Sequence, residues 1–114
     1  MSRHDPFVRI RHMRDHAKEA VELSRGRSRN DLDTDRLLNL ALVRLLEVVG
    51  EAPNHIPEDF RQRHIEVPWR EISDLRNRLI HGYDIVNFDI LWAIVKQDLP
   101  PLVDQLTAIL ESAS

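Results

Sequence analysis

The chain has 114 residues, of which 42 % are hydrophobic and 31 % charged, a balance that predicts one globular domain over residues 1–114 and excludes a wholly disordered chain. It carries a formal net charge of −3 and no cysteine, which excludes disulfide bonds and thiolate metal sites. The longest apolar tract, Leu37 to Val49, is interrupted by polar residues and is too short to span a membrane, so we expect a cytoplasmic protein without a membrane segment.

The first predicted helix covers about residues 6–25. Asp5 precedes Pro6, which is typical of an N-cap followed by proline in the first turn of a helix. Apolar positions then recur at helical spacing until Gly26, where we expect the helix to stop. The face they form consists of Phe7, Ile10, Met13, Ala17, Ala20, Val21 and Ser24.

The second predicted helix follows a polar loop, RGRSRNDLDT, at residues 25–34. Asp33 or Thr34 can cap this helix, which runs to about Gly50. Its residues are apolar almost all round. Such a helix is expected to be buried on most sides, either at the centre of a bundle or at a contact between subunits.

Prolines divide the next part of the chain. Pro53 and Pro57 bracket a loop with a short helical turn near residues 58–62. Pro68 then opens a longer helix, which is predicted to run to about His81, just before a glycine.

Two further helical segments complete the chain. Asn87 is the predicted cap of FDILWAIVKQDL, and the Pro100–Pro101 pair begins a last helix. Because the loops are short, we expect antiparallel neighbours. The predicted fold is all-α, an antiparallel up-and-down bundle of four longer helices and a short one, and the apolar second helix favours a homodimer.

Charge is distributed unevenly along the chain. Residues 1–29 carry a net charge of +4 and residues 61–81 carry +2, whereas residues 30–60 carry −5 and residues 82–114 carry −4. The two basic blocks could form one positive face, which would favour an anionic partner. Alternatively, they are solvated helix faces, as charge runs usually are.

A helical projection of the segment after Pro68 places Arg76 inside the apolar stripe. Asn77 and His81 then form an i, i+4 pair at the edge of the stripe, and Tyr83 lies beside Arg76 if the helix persists. The stripe itself consists of Trp69, Ile72, Leu75, Leu79 and Ile80.

An arginine in an apolar stripe needs a partner, because guanidinium stays charged when it is buried. One interpretation is structural: Arg76 forms a buried salt bridge with Glu47 or Glu51, while His81 and Gly82 end the helix. The other is functional: the stripe lines a groove between subunits, where a phosphate supplies the missing charge.

The spacing Arg76-x4-His81-x-Tyr83, with Asn77 directly after the arginine, resembles the signature of the HEPN superfamily, specifically its HepT-like branch of toxin subunits. The resemblance covers nearly the whole chain. It includes VGEA, VPWREISDLRNRLIHGY, IVNFDILWAIV and LPPLVDQLTAIL, in that order.

This resemblance implies a HEPN-like helical fold and a metal-independent endoribonuclease that acts as a homodimer. In such a protein His81 would be the general acid/base and Arg76 the clamp on the scissile phosphate. We assign Asn77 a supporting role, either orienting His81 or binding a phosphate oxygen. RNA, plausibly tRNA, is the implied substrate.

The resemblance also implies regulation within a toxin–antitoxin pair. HepT-like proteins are paired with a small MntA-like nucleotidyltransferase antitoxin, which transfers AMP from ATP onto the motif tyrosine, here Tyr83. The adduct would oppose RNA phosphates by charge and block them by size. The alternative is a non-catalytic helical adaptor, or nucleotide-binding subunit, of a nucleotidyltransferase complex.

Other signals carry less weight. His12 and His16 form an i, i+4 pair that could ligate a metal, but they fall on the polar face of the first helix with no third ligand evident. We therefore predict no metal site and no cofactor. With three glycines and no Gly-rich phosphate loop, the chain is not itself the nucleotidyltransferase.

Overall fold

Helices form nearly all of the regular structure in the computed structural model, which describes residues 5–81 and 85–113 and, at His81, the backbone alone. The α-helices are α1 (Pro6–Leu23), α2 (Asp31–Thr34), α3 (Arg36–Glu51), α4 (Glu58–Arg63), α5 (Trp69–Ser73), α6 (Leu75–Leu79), α7 (Phe88–Ala93) and α8 (Leu99–Ser112). A 3₁₀-helix, Ala52–His55, follows α3, and a π-helical turn, Ile94–Asp98, joins α7 to α8. Two short strands, β1 (Ile80–His81) and β2 (Ile85–Val86), lie between α6 and α7. The predicted all-α fold is confirmed.

Helix α1 is at the centre of the packing and lies against both α3 and α8. Its predicted start is confirmed, because the Asp5 carboxylate accepts a hydrogen bond from the Phe7 amide at 2.9 Å. The helix ends slightly earlier than predicted, at Leu23, and Gly26 adopts a left-handed φ of 70° that favours glycine. The buried face is the predicted one and includes Ile10, Met13, Ala17, Ala20 and Ser24.

The start of α3 differs from the prediction. Asp35, rather than Asp33 or Thr34, is the N-cap, and its carboxylate accepts a hydrogen bond from the Leu38 amide at 3.1 Å. Arg27 donates to the other oxygen of Asp35 at 2.6 Å. The Arg27 guanidinium, together with the helix amide, holds the pKa of the Asp35 carboxyl below its usual value. The predicted loop before α3 is partly helical, since it contains α2.

Helix α3 is not buried on most sides within one chain, so the prediction of a helix at the centre of the bundle is wrong. One side is fully packed and contains Leu38, Leu42, Leu46 and Val49. The opposite side exposes Leu37 to 80 % and Leu40 to 48 %. A subunit contact on that side stays a prediction.

The long helix predicted from Pro68 to His81 is also wrong. The segment forms two short helices, α5 and α6, separated at Asp74, whose φ of −92° and ψ of 3° lie outside the helical region. At Ile80 the chain becomes extended and β1 pairs antiparallel with β2. The amide of Asn87 donates to the carbonyl of Leu79 at 2.8 Å and closes the base of this hairpin.

Helix α3 approaches the α5–α6 segment closely at Gly50. A Cβ atom at Gly50 would lie 3.1 Å from the carbonyl oxygen of Ile72 and 3.5 Å from the Cβ of Leu75. The missing side chain therefore allows the two backbones to meet. This contact fixes the segment that carries Arg76 against α3.

The C-terminal segments follow the sequence signals closely. The side chain of Asn87 accepts a hydrogen bond from the Ile90 amide at 3.0 Å, which confirms the predicted cap of α7. Pro100 and Pro101 lie in the first turn of α8, as predicted, but no loop precedes them. The π-helical turn lies where the prolines remove two amide donors. Across residues 5–81 and 85–113, the structure has no helix that is both long and apolar enough to cross a membrane.

Candidate functional site

Arg76 lies on α6 with its side chain 70 % exposed. The Nε atom of Arg76 lies 3.9 Å from Oε2 of Glu47 on α3. The predicted position inside the apolar stripe is therefore wrong, because the helical projection assumed one unbroken helix through residue 81. Glu47 was one of the two partners considered from the sequence, but the ion pair is at the surface rather than buried.

Glu47 is shared between two arginines. Its other carboxylate oxygen lies 3.6 Å from Nη1 of Arg44, which is 74 % exposed. The side chain of Glu47 is itself 29 % exposed. The site therefore presents two guanidinium groups to solvent on either side of one partly covered carboxylate. Arg44 is not among the site residues predicted from the sequence, although a charged residue that interrupts an apolar helix is a signal for such a role.

Asn77 makes a local contact. Its side-chain amide donates to the carboxylate of Asp74 at 2.8 Å, across the break between α5 and α6. Asn77 and His81 are not an i, i+4 pair on one helix, as predicted, because α6 ends at Leu79 before His81 is reached. The contact suits a residue that stabilises the start of α6, immediately beside Arg76.

His81 lies in β1 rather than on the helix that carries Arg76. Its backbone pairs with Ile85, and Ile80 pairs with Val86. Tyr83 lies outside the described residues, as does the side chain of His81. The relative position of the arginine and the histidine is therefore set by a helix-to-strand transition, which the sequence pattern did not predict.

Arg78, on the same helix as Arg76, points elsewhere. Its Nη2 atom lies 3.4 Å from Oδ2 of Asp98 in the π-helical turn. Arg78 borders a cleft between the α5–α6 segment and α8. This cleft has a volume of about 260 Å³ and an apolar floor that includes Ile72 and Leu102. The two arginines therefore belong to different surfaces of the domain.

A groove of about 290 Å³ lies beside the Arg76 surface, between α1 and α3. Glu47 borders this groove and also contacts Arg76. His12 and His16 line it together with Met13, so the predicted polar face that carries them borders a residue of the core. Among residues 5–81 and 85–113 we find no group of three or more histidine or acidic side chains arranged to hold a metal ion.

Comparison with known proteins places this geometry in context. The family model "Ribonuclease HepT-like" matches residues 13–109, which include Arg76 and His81. The chain is 37 % identical over 106 residues to "Putative RNase TTE0752" of Caldanaerobacter subterraneus subsp. tengcongensis, covering 93 % of this chain and 95 % of that protein. It is 42 % identical over 88 residues to "Probable ribonuclease HepT" of Thermococcus cleftensis, covering 74 % of this chain and 80 % of that protein. No solved structure gives a significant match.

Proposed function

This chain belongs to the ribonuclease HepT-like family of the HEPN superfamily, and from that membership we propose that it is an endoribonuclease whose site contains Arg76 and His81. The observation that carries the proposal is the state of Arg76. Its side chain is 70 % exposed, and its Nε atom lies 3.9 Å from Oε2 of Glu47. Because this side chain is already at the surface, it can bind a phosphate without any rearrangement of the core. The planar set of guanidinium N–H donors also matches the oxygens of a phosphate.

The reaction needs no metal ion. A base removes the proton from a ribose 2′-hydroxyl, and the 2′-oxygen attacks the adjacent phosphorus. The bond from phosphorus to the 5′-oxygen then breaks, and an acid protonates that oxygen as it leaves. The products are a 2′,3′-cyclic phosphate and a 5′-hydroxyl. Arg76 stabilises the charge that develops on the phosphorane oxygens, and the His81 imidazole serves as acid or base.

The complete site belongs to a homodimer in this proposal. One chain supplies a single motif histidine, whereas the reaction uses both an acid and a base. Two copies of the motif facing one cleft would provide two histidines and two arginines. The exposed Leu37 and Leu40 of α3 support a contact between copies, because large apolar side chains at 80 % and 48 % exposure favour burial against a partner.

The second part of the proposal concerns control by a partner. An MntA-like nucleotidyltransferase would transfer AMP from ATP to Tyr83. The phenol oxygen attacks the α-phosphorus of ATP, pyrophosphate leaves, and the phenol proton passes to a base of the partner enzyme. The adduct places a negative phosphate two residues after His81 and repels the RNA backbone. The chain would thus be the toxin of a toxin–antitoxin pair, with tRNA as its substrate.

Incubation of the purified chain with RNA in EDTA tests the ribonuclease proposal. We expect fragments that end in a cyclic phosphate, and we expect His81→Ala to abolish them while the helical circular dichroism spectrum is retained. If the His81→Ala variant cuts as fast as the parent, the activity comes from a contaminating nuclease. If unmodified parent protein cuts none of several RNAs, including tRNA, the proposal is wrong and the adaptor alternative gains.

A further inference from the structure

The groove between α1 and α3 combines basic and imidazole side chains from distant parts of the chain. Helix α1 contributes Arg9, His12 and His16, and α3 contributes Arg44. His55 of the 3₁₀-helix lies at the same groove. With a volume of about 290 Å³, the groove can hold part of a ligand rather than only ordered water.

Both carboxylates of the groove already have arginine or histidine neighbours. Glu47 lies between Arg44 and Arg76, at 3.6 and 3.9 Å. Glu51 lies 3.5 Å from Nε2 of His55. Arg9, by contrast, is exposed and makes no ion pair within the part of the chain that the structure describes. The groove therefore offers an uncommitted guanidinium to an anionic ligand.

The histidines add hydrogen-bonding groups suited to a sugar-phosphate chain. Nδ1 of His16 lies 2.6 Å from the carbonyl oxygen of His12, and since a carbonyl only accepts, this nitrogen carries the proton. Nε2 of His16 is then left for a ligand. It accepts from a ribose hydroxyl or a base amino group when the ring is neutral, and it donates to a phosphate when the ring is protonated.

The groove is continuous with the proposed cleavage site through Glu47, which borders the groove and contacts Arg76. We propose that this groove binds the single-stranded RNA segment next to the scissile phosphate. Arg9 and Arg44 contact backbone phosphates, and His12 and His16 contact the sugar or base. This inference rests on the proposed ribonuclease function, because it assigns Arg76 to the scissile phosphate.

The test compares two double variants on the same helix. Arg9→Gln/His12→Gln changes the groove, whereas Arg11→Gln/Lys18→Gln removes two exposed cations that the 3.6-residue repeat places on the opposite side of α1. The probe is an unmodified RNA 20-mer, and its binding is measured with His81→Ala present in the parent and in every variant, so that the probe keeps its ribose hydroxyls and is not cut. We expect the groove variant to raise the Kd for this probe about tenfold. The control should stay within about twofold, although it loses more positive charge.

Binding and cleavage are measured separately so that the two proposals can fail separately. On a cleavable RNA the groove variant should raise KM, with the main loss there rather than in kcat. If the groove variant binds the probe as tightly as the parent, or if the parent does not bind it, the groove assignment is wrong. If the parent binds the probe through the groove but cuts no RNA, the groove assignment stands and the ribonuclease proposal fails.

Discussion

The guanidinium Nε of Arg76 lies 3.9 Å from the Oε2 atom of Glu47, a contact that joins α6 to the C-terminal part of α3. The arginine end of the pair is mostly exposed, and ion pairs of this kind contribute little to stability because water screens them. Arg76 is therefore not needed to hold the domain together. Its effects on folding and on chemistry can be separated by mutation.

Arg76→Ala should abolish RNA cleavage without unfolding the domain. We expect the cleavage rate to fall at least about 100-fold, since a positioned charge on the scissile phosphate is lost. The free energy of unfolding should change by less than about 0.5 kcal/mol, as for other surface substitutions. Arg78→Ala is the matched control on the same helix, because Arg78 pairs with Asp98 on another surface. Equal losses of cleavage in the two variants would argue against a specific role for Arg76.

Glu47→Gln should strengthen RNA binding. The carboxylate competes with phosphate for Arg44 and Arg76, and it orients them only weakly at 3.6 and 3.9 Å. Removing its charge should lower KM for RNA about threefold, a change consistent with one screened charge near the ligand. Glu22→Gln, on the exposed end of α1, should leave KM unchanged. A rise in KM for Glu47→Gln would show that orientation of the arginines outweighs repulsion.

The Asp35 cap should make stability depend on pH at the acidic end. The folded-state pKa of Asp35 is lowered, first by its hydrogen bond from Arg27, so the stabilisation is complete above the unfolded pKa of about 3.9. It is lost as the pH falls from there through the lower folded-state pKa. The free energy of unfolding, measured with urea from pH 7 to about pH 2.5, should fall less steeply in acid for Asp35→Asn than for the parent. This variant keeps a side-chain oxygen that can cap the helix. A loss of stability in acid as steep as that of the parent would contradict this role of Asp35.

Asn39→Ala should destabilise the domain without affecting cleavage chemistry. Asn39 is 6 % exposed and its amide donates to the carbonyl of Leu32 at 2.9 Å. Its loss leaves a buried acceptor without this donor, which costs about 1–3 kcal/mol. Arg36→Ala removes the neighbouring 3.4 Å contact to Asn39 from an exposed side chain and should change stability by less than about 0.5 kcal/mol. Both values are measurable by urea denaturation, and similar values for the two variants would contradict this assignment.

Treatment with an MntA-like nucleotidyltransferase and ATP should add AMP to the chain, and Tyr83→Phe should prevent it. Intact-mass spectrometry measures the number of AMP units, and the cleavage assay measures the accompanying loss of activity. The chain has one tyrosine, so labelling that persists in Tyr83→Phe would place the modification on another residue type. Labelling that leaves cleavage unchanged would separate modification from inhibition.

Local signals predicted local structure well in this chain. The caps at Asp5 and Asn87 and the prolines at the start of α8 were read correctly, because each acts within one helical turn. The segment from Pro68 to His81 was predicted incorrectly. Its apolar spacing fits a single helix, whereas β1 forms only because it pairs with Ile85 and Val86. The periodicity of apolar residues within a segment carries no information about a strand that pairs with it from outside that segment.

The candidate site, like the fold, was predicted only where the signal lies in neighbouring residues of the sequence. The role of Arg76 as a site residue stays a prediction from the motif spacing. Its neighbour in the structure, Glu47, is one of the two partners considered from the sequence. The exposure of Arg76 was missed, because it depends on the break at Asp74. The groove was missed as well, because Arg9 and Arg44 come together only when α1 packs on α3.

The hydrogen bond from the Asn87 amide to the Leu79 carbonyl ties the end of α6 to the start of α7. It holds these helices in place below the hairpin, whatever residues occupy the far end. A change in length or composition beyond this bond would alter loop-closure entropy only slowly. Sequence changes between residues 79 and 87, a stretch that includes the proposed AMP acceptor, could therefore accumulate during evolution while the helical scaffold stays the same.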